Sequence, residues 1–151
     1  MLKYLITVLL ITCSLVTTNS YSIQPSLKVA KFVSKPSKQN LCLAWVVENE
    51  AGGESLLGKR AVLDVVHTRM LKRNLTACQV ISQKGQFSGF NKNCLRKVSL
   101  STLHSYDKVV KVRPVVKGAE YFHNDLVKPA WIVKMRIVRK VGAHTFYKLR
   151  K

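Results

Sequence analysis

Three of the seven acidic residues of this 151-residue chain lie in one short stretch, where an apolar segment ends in two glycines. The stretch reads Glu48-Asn49-Glu50-Ala51-Gly52-Gly53-Glu54. A carboxyl group at the end of a helix faces the negative end of the helix dipole, and neighbouring acids repel its charge. Partial burial beside Trp45 would add a desolvation penalty, so all three effects favour the protonated acid. Such an acid can donate a proton to a glycosidic oxygen, and the glycines would let a bulky polymer approach the backbone.

Glu50 is the preferred catalytic candidate in this stretch. On a helix, Glu48 would face away from Glu50 and towards solvent. Glu54 could begin the next helix, where its negative charge is favourable. Asp64 follows Arg60 by one turn and predicts an ion pair on a helix face. A glutamate at a helix end is also common without any catalytic role, so the spacing alone leaves both interpretations open.

The sequence predicts neither a metal site nor a cofactor. Its four histidines form no HExxH pair, and no Cys/His spacing is typical of zinc. It contains no GxSxG nucleophile motif, Walker loop or GxGxxG fingerprint. Aromatic residues cluster late in the chain, where core packing is the default explanation and sugar stacking is possible for one or two. They are Tyr121, Phe122, Trp131, Phe146 and Tyr147.

The net charge of the chain indicates which partners it can bind, but it says little about which reaction it catalyses. The 26 Lys and Arg residues outnumber the 7 Asp and Glu residues, which gives a formal net charge of +19. Such a field attracts polyanions, including nucleic acid, anionic membranes and a bacterial wall that carries phosphate and carboxylate. No paired metal-binding acids suggest a nuclease, and no specific nucleic-acid partner is expected. A non-enzymatic cationic binder of walls or membranes is an alternative that charge alone does not exclude.

Residues 1–20 resemble a secretory signal peptide. Lys3 precedes an apolar run through Thr17, and small polar residues follow. The run is shorter than the ~20 residues of a spanning helix. We expect export to the periplasm, the cell wall or the medium, either after cleavage near Ser20 or Ser22 or with the segment retained as a signal anchor. Membrane contact is expected only in the second case, through this segment.

The remaining chain is long enough for one domain. Residues 21–39, rich in Ser, Lys and Pro, are predicted to be a basic flexible linker before a catalytic domain at 40–151, which we expect to be monomeric. Apolar spacing predicts helices over 41–50, 55–72 and 99–112, and a short one through Gln83 capped by Asn74 or Thr76. A loop is predicted over 85–93 and strands within 130–149. The fold class is therefore α+β, mostly helical, with a small C-terminal β-sheet.

The cysteines leave the redox state open. Signal cleavage would remove Cys13 and leave three, and export makes one disulfide plausible. A bond between Cys78 and Cys94 would close a modest loop and leave Cys42 free. Three reduced core cysteines are the alternative.

Five stretches together resemble a known family in the order of their motifs. They are Leu43 to Glu54, Gly58 to Arg69, Cys78 to Ser88, Ala119-Glu120-Tyr121-Phe122-His123, and Pro129-Ala130-Trp131 with Gly142-Ala143-His144-Thr145-Phe146-Tyr147. They are similar to the Glu-Ala-Arg-Gly-Glu, Asn-Arg, Gln-Phe-Ser, Ala-Thr-His-Tyr-His, Pro-x-Trp and Gly-x-His-x-Phe-Tyr motifs of the SleB-type cell wall hydrolases, the spore cortex-lytic enzymes. The resemblance covers about residues 41–149.

The resemblance implies a lysozyme-like fold and a bacteriolytic enzyme that cuts peptidoglycan between N-acetylmuramic acid and N-acetylglucosamine. Glu50 matches the catalytic acid/base of the family, and Glu54 matches a supporting glutamate. The expected substrate-binding positions are Gln86, Phe87, Ser88, Tyr121, His123, His144 and Tyr147.

Two reactions fit one catalytic glutamate. A lytic transglycosylase needs no second carboxylate and is favoured. A hydrolytic muramidase, including a phage endolysin, normally needs a second carboxylate, with Glu54, Asp107 and Asp125 as candidates.

The chain also departs from the family pattern. Gly52 stands where Arg is usual, Thr68 replaces Asn, and Glu120-Tyr121-Phe122 replaces Thr-His-Tyr. These changes leave the preferred substrate open.

Overall fold

The computed structural model describes residues 35–87 and 89–150, and these form the α+β domain that the sequence predicts. The predicted signal peptide and residues 21–34 of the predicted linker lie outside the described residues. The first helix begins at Lys38, two residues before the predicted start of the domain. Among the described residues, no helix has the length and apolar content needed to cross a membrane.

The described residues contain the four predicted α-helices. They are α1 (Lys38–Ala51), α2 (Leu56–Arg73), α3 (Ala77–Ile81) and α4 (Leu100–Val110). A hydroxyl group accepts a first-turn backbone N–H at the start of each helix, from Ser37, Ser55, Thr76 and Ser99 respectively. These caps satisfy N–H groups that have no partner within the helix. Of the two predicted caps for α3, Thr76 is the one used, whereas Asn74 ends α2 with a φ of 49°.

Helix α1 is the centre of the domain. Its residues from Cys42 to Val47 are all buried, and it packs against α2, α3 and α4. A helix that is apolar on all sides must be enclosed by other elements. Leu63 and Val66 of α2, Val80 of α3 and Val109 of α4 supply part of that enclosure.

The sheet has three antiparallel strands in the order β1-β3-β2. They are β1 (Tyr121–Asn124), β2 (Met135–Val141) and β3 (His144–Leu149). Central β3 has four consecutive buried residues, as expected for a strand covered on both faces. Strand β1 was not predicted from the sequence, because its four residues are all half-buried and show no alternation. Part of the segment predicted as strand, Ala130–Lys134, forms a 3-10 helix after Pro129.

A second core cluster joins α2 to the sheet. Phe146 of β3 is fully buried against Val62 and Val65 of α2. Val138, at an irregularity in the pairing of β2, packs against the same cluster. Phe122 of β1 contacts both clusters, so the sheet and the helices share one continuous core.

The predicted Arg60–Asp64 ion pair is confirmed, but it is buried and does not lie on an exposed helix face. Arg60 Nε donates to Asp64 Oδ1 at 2.7 Å. The other carboxylate oxygen accepts the backbone N–H groups of Val115 and Val116. Asp64 therefore ties α2 to the segment that leads into β1.

One disulfide bond joins Cys42 to Cys78 in the described residues, with a Cα–Cα distance of 5.4 Å. Both alternatives, pairing of Cys78 with Cys94 and three reduced core cysteines, were therefore wrong. Packing of α3 against α1 brings Cys78 to Cys42, whereas Cys94 is a free thiol in a separate 3-10 helix, Lys92–Lys97. The bond covalently links the central helix α1 to α3, one of the helices that enclose it.

We predict that Cys42→Ser lowers the free energy of unfolding by about 3–4 kcal/mol. The bond spans 36 residues, and restraining a loop of that size in the unfolded chain stabilises the folded state by about this amount. Urea unfolding measures the difference, and Cys94→Ser is the matched control. Equal unfolding midpoints for the two variants would contradict the pairing.

Candidate active site

Glu50 lies on the last turn of α1 with its side chain half-buried. Burial raises the pKa of Glu50 above its ordinary value. Among the described residues, no cation forms an ion pair with it. Glu48 is exposed, and the Glu54 carboxylate is engaged elsewhere, so desolvation is the cause of the shift. The arrangement therefore favours a protonated carboxylic acid at the surface.

The two glycines after α1 form a tight connection to α2. Gly52 keeps helical angles, φ −54° and ψ −42°, and a Cβ there would lie 2.5 Å from the Glu48 carbonyl oxygen. Ala51 accepts the Glu54 backbone N–H at 2.9 Å. The connection therefore has no room for a side chain at position 52, and it places Glu54 one tight turn beyond Glu50.

Glu54 connects this turn to the turn between β2 and β3. Its Oε1 accepts the Ala143 backbone N–H at 3.1 Å and lies 3.3 Å from His144 Nδ1, a contact without hydrogen-bond alignment. Gly58 and Gly142 form a notch around the carboxylate: a Cβ at Gly58 would lie 2.8 Å from Glu54 Cβ, and one at Gly142 would overlap Glu54 Oε2. This glycine notch joins segments that are 89 residues apart in the sequence.

Four aromatic side chains form a cluster on the face of the sheet opposite α2. Tyr121, His123, Trp131 and Tyr147 have ring centroids between 5.2 and 5.9 Å apart. His123 Nδ1 lies 2.8 Å from the Asn124 carbonyl oxygen, so it must donate. In the neutral ring, Nε2 therefore accepts the Tyr147 hydroxyl at 2.7 Å. These bonds fix the orientation of both rings.

An open cleft of about 370 Å³ lies beside this aromatic cluster. Its lining includes Tyr121, Trp131 and the exposed Gln86, together with Arg69 from the last turns of α2. Sequence analysis missed Arg69 as a site residue. A signal was present, because position 69 follows Val62 by seven residues and so falls on the buried face of the helix.

The structure divides the predicted site residues into two groups. Glu54 and His144 lie on the side of the sheet that faces the helices, where the His144 ring also contacts Phe122. Tyr121, His123 and Tyr147 lie on the opposite face, and Tyr121 shares the cleft with Gln86. Phe87 is only 5 % exposed and belongs to the core. Ser88 lies outside the described residues.

The three candidates for a second carboxylate lie in environments that differ from that of Glu50. Asp125 accepts the Thr145 hydroxyl and pairs with Lys140, and the hydrogen bond from Lys140 lowers the pKa of Asp125. Asp107 is exposed on α4. Glu54 is held in the glycine notch. Glu50 differs from them in being half-buried without an ion pair among the described residues, and burial raises its pKa.

Comparison with known proteins identifies similar molecules. A family model described as Cell Wall Hydrolase matches residues 53–147, more than half of the chain. The catalytic domain of the germination-specific lytic transglycosylase SleB from Bacillus anthracis is 22% identical, with a TM-score of 0.62, over 76% of this chain and 98% of that chain. The catalytic domain of the Bacillus cereus SleB protein is 25% identical, with a TM-score of 0.60, over 76% and 94%. No curated protein matches.

We predict that Gly142→Ala destabilises the domain by roughly 1–3 kcal/mol more than Gly118→Ala, because its methyl group overlaps Glu54. Both glycines have positive φ, 58° and 77°, but a Cβ at Gly118 meets no atom within 4 Å. Chemical denaturation compares the two variants. Equal losses would mean that the glycine notch does not constrain the fold.

Glu50→Gln should stabilise the domain at alkaline pH. The folded state raises the pKa of Glu50, so wild type loses stability as the pH rises through that pKa, whereas glutamine does not ionise. At pH 8 the variant should have the higher free energy of unfolding. The difference between the two chains should shrink as the pH falls towards 4.5, the ordinary pKa of a glutamate. Glu48→Gln is the exposed control. A stability gain of Glu50→Gln that does not change with pH would refute the raised pKa of Glu50.

Proposed function

Because this chain belongs to the cell wall hydrolase family and is a SleB-type, peptidoglycan-cleaving enzyme, we propose that it acts as a lytic transglycosylase with Glu50 as its acid and base. The bond cut would be the one between N-acetylmuramic acid and N-acetylglucosamine. The observation that carries the proposal is the half-buried Glu50 carboxyl with a raised pKa and no described cation beside it. The family match begins at Gly53, so the role of Glu50 depends on this geometry and on the resemblance of its motif.

The proposed reaction uses Glu50 twice. The protonated carboxyl group donates its proton to the glycosidic oxygen as the bond from that oxygen to C1 of muramic acid breaks. The resulting Glu50 carboxylate then accepts the proton of the muramic 6-hydroxyl group. The 6-oxygen closes onto C1 and gives a 1,6-anhydro end, so Glu50 finishes protonated and ready for another cycle.

The environment of the other acids supports one catalytic carboxylate. A muramidase that retains configuration needs its second carboxylate ~5–5.5 Å from the first, and an inverting one ~6.5–9.5 Å. Glu54 and Asp125 have their own hydrogen-bond donors, and these reduce their availability as nucleophile or base. A muramidase remains the second candidate and would give ordinary reducing ends.

Gly52 bears on the pH at which Glu50 works. In family members that have an arginine at this position, a positive charge near the acid would favour its ionised form. In this chain burial acts without that opposing charge. We infer that activity falls as the pH rises through the pKa of Glu50, because the proton donor is then lost.

We infer distinct roles for the two groups of site residues. Glu54 supports the catalytic turn by holding it against Ala143 in the glycine notch. Gln86 and Tyr121 line the cleft and would contact the glycan strand, with Trp131 as a stacking surface. His123 and Tyr147 would keep that surface in place through their hydrogen bond.

Location and further partners follow from the same proposal. Peptidoglycan lies outside the cytoplasm, which agrees with the predicted export of the chain. The net charge of +19 would retain the enzyme on anionic wall polymers by an attraction that salt weakens.

Glu50→Gln should reduce the release of muropeptides from purified peptidoglycan by roughly 10²–10⁴-fold, the usual contribution of a general acid. Glu48→Gln, which changes an exposed acid two residues away, should keep activity. Mass spectrometry of the soluble products separates the reactions. Wild type should give 1,6-anhydro ends. Reducing ends would replace the transglycosylase by a muramidase, and full activity of Glu50→Gln would overturn the assignment of the acid.

A further inference from the structure

Arg69 is a buried cation that forms no ion pair with any carboxylate in the part of the chain that the structure describes. It is 4 % exposed, and its Nε donates to the Glu120 backbone oxygen at 2.7 Å. Its Nη1 has no hydrogen-bond partner among the described residues. The Glu120 carboxylate pairs instead with Lys72 at 2.5 Å. A buried charge without a direct ion pair is costly, so its presence beside a cleft calls for an explanation beyond stability.

The surroundings hold the guanidinium in place and keep it charged. Its central carbon lies 5.4 Å from the centroid of the Phe87 ring and 5.7 Å from that of Tyr121, within the range of cation–π contacts. Burial and the charge of Arg73 lower the pKa of Arg69 to about 10, so it remains protonated at neutral pH. The cleft is thus bounded by a fixed positive charge.

We propose that Arg69, with Gln86 and Tyr121 beside it, forms a subsite for a carboxylate carried by the muramic acid residue or by its peptide. This inference rests on the proposed function. The N-acetylated sugar rings of peptidoglycan are uncharged. A free carboxylate is carried by the stem peptide, or by the lactyl ether where the muramic acid has lost its peptide. The guanidinium suits a carboxylate in charge and in hydrogen-bond geometry.

Access to the subsite follows from its position. Arg69, Gln86, Tyr121 and Trp131 line one cleft, so a sugar stacked on Trp131 would bring its substituent towards Arg69. Nη1 itself is shielded from solvent, and a direct bond to it requires a small shift of the cleft wall. The attraction needs no shift, because a partly buried charge is weakly screened. We therefore expect discrimination between a carboxylate and its neutral amide.

The test measures binding to the full-length Glu50→Gln chain, which should not cut its ligand. Isothermal titration calorimetry compares peptide-bearing glycan tetrasaccharides with the same molecules whose carboxyl groups are converted to amides. We expect amidation to raise Kd roughly tenfold or more, the usual strength of a hydrogen bond to a charged group. Equal Kd values for acid and amide, together with no tighter binding of peptide-free muramic acid strands than of chitotetraose, would overturn the subsite.

Two further ligands identify the source of the carboxylate. Peptide-free strands keep only the lactyl carboxylate, and chitotetraose has no carboxylate. Tight binding of the peptide-free strands would assign the lactyl group. Binding of those strands at the chitotetraose level, with the acid preference of the peptide-bearing strands retained, would assign the stem peptide.

Variants test whether the preference for carboxylate over amide ligands depends on Arg69. Arg69→Gln should abolish this preference. Arg69→Lys should raise KM for acid strands with little change in kcat when Glu50 is intact. Arg73→Gln is the control, since Arg73 lies on the same helix and its guanidinium binds Gln83 on the surface. A folded Arg69→Gln chain that keeps the preference would overturn the proposal. If that variant does not fold, the comparison of acid and amide ligands on the chain that retains Arg69 still tests the proposal.

The outcomes separate this inference from the proposed function. Cleavage of peptidoglycan by wild type without any carboxylate preference would overturn the subsite alone. No cleavage by wild type would overturn the proposed function.

Discussion

Enclosure of α1 is the constraint on which the other features of the domain depend. Six consecutive residues, Cys42 to Val47, are buried, so this helix has no solvent-facing side along that stretch. Burial of a large apolar side chain contributes roughly 1.5–3 kcal/mol, and the enclosing helices must all be in place to obtain it. For function, this packing matters because it fixes the position of Glu50. Glu50 follows the buried stretch by less than one turn, so a rigid core fixes the acid at the surface.

Helix α2 connects this core to the sheet, and it does so partly with buried charges. Arg60 and Asp64 satisfy each other and bind the chain before β1. Arg69, nine residues after Arg60, has only a backbone oxygen for its Nε. The two arginines occupy the same helix and are similarly buried, yet one is compensated and the other is not. That contrast is the basis for the carboxylate subsite proposed at Arg69.

Local signals in the sequence predicted the helices well, because Ser and Thr caps and apolar spacing act over a few residues. The order of the motifs likewise identified the family and directed attention to Glu50. Contacts between distant segments were not predictable in this way. The bond from Ala143 to Glu54 and the pairing of Cys42 with Cys78 depend on how the elements pack. Strand β1 was not predicted because its burial is uniform and its partner residues in β3 are 20 to 26 positions away in the sequence.

The Cys42–Cys78 bond gives the enzyme a dependence on its compartment. Cytosolic reductants keep such pairs as thiols, whereas compartments outside the cytoplasm let them oxidise. With the proposed export, the helix that carries Glu50 would receive its covalent link to α3 only after the chain has left the cytoplasm. The domain would then reach its more stable form in the compartment that holds its substrate.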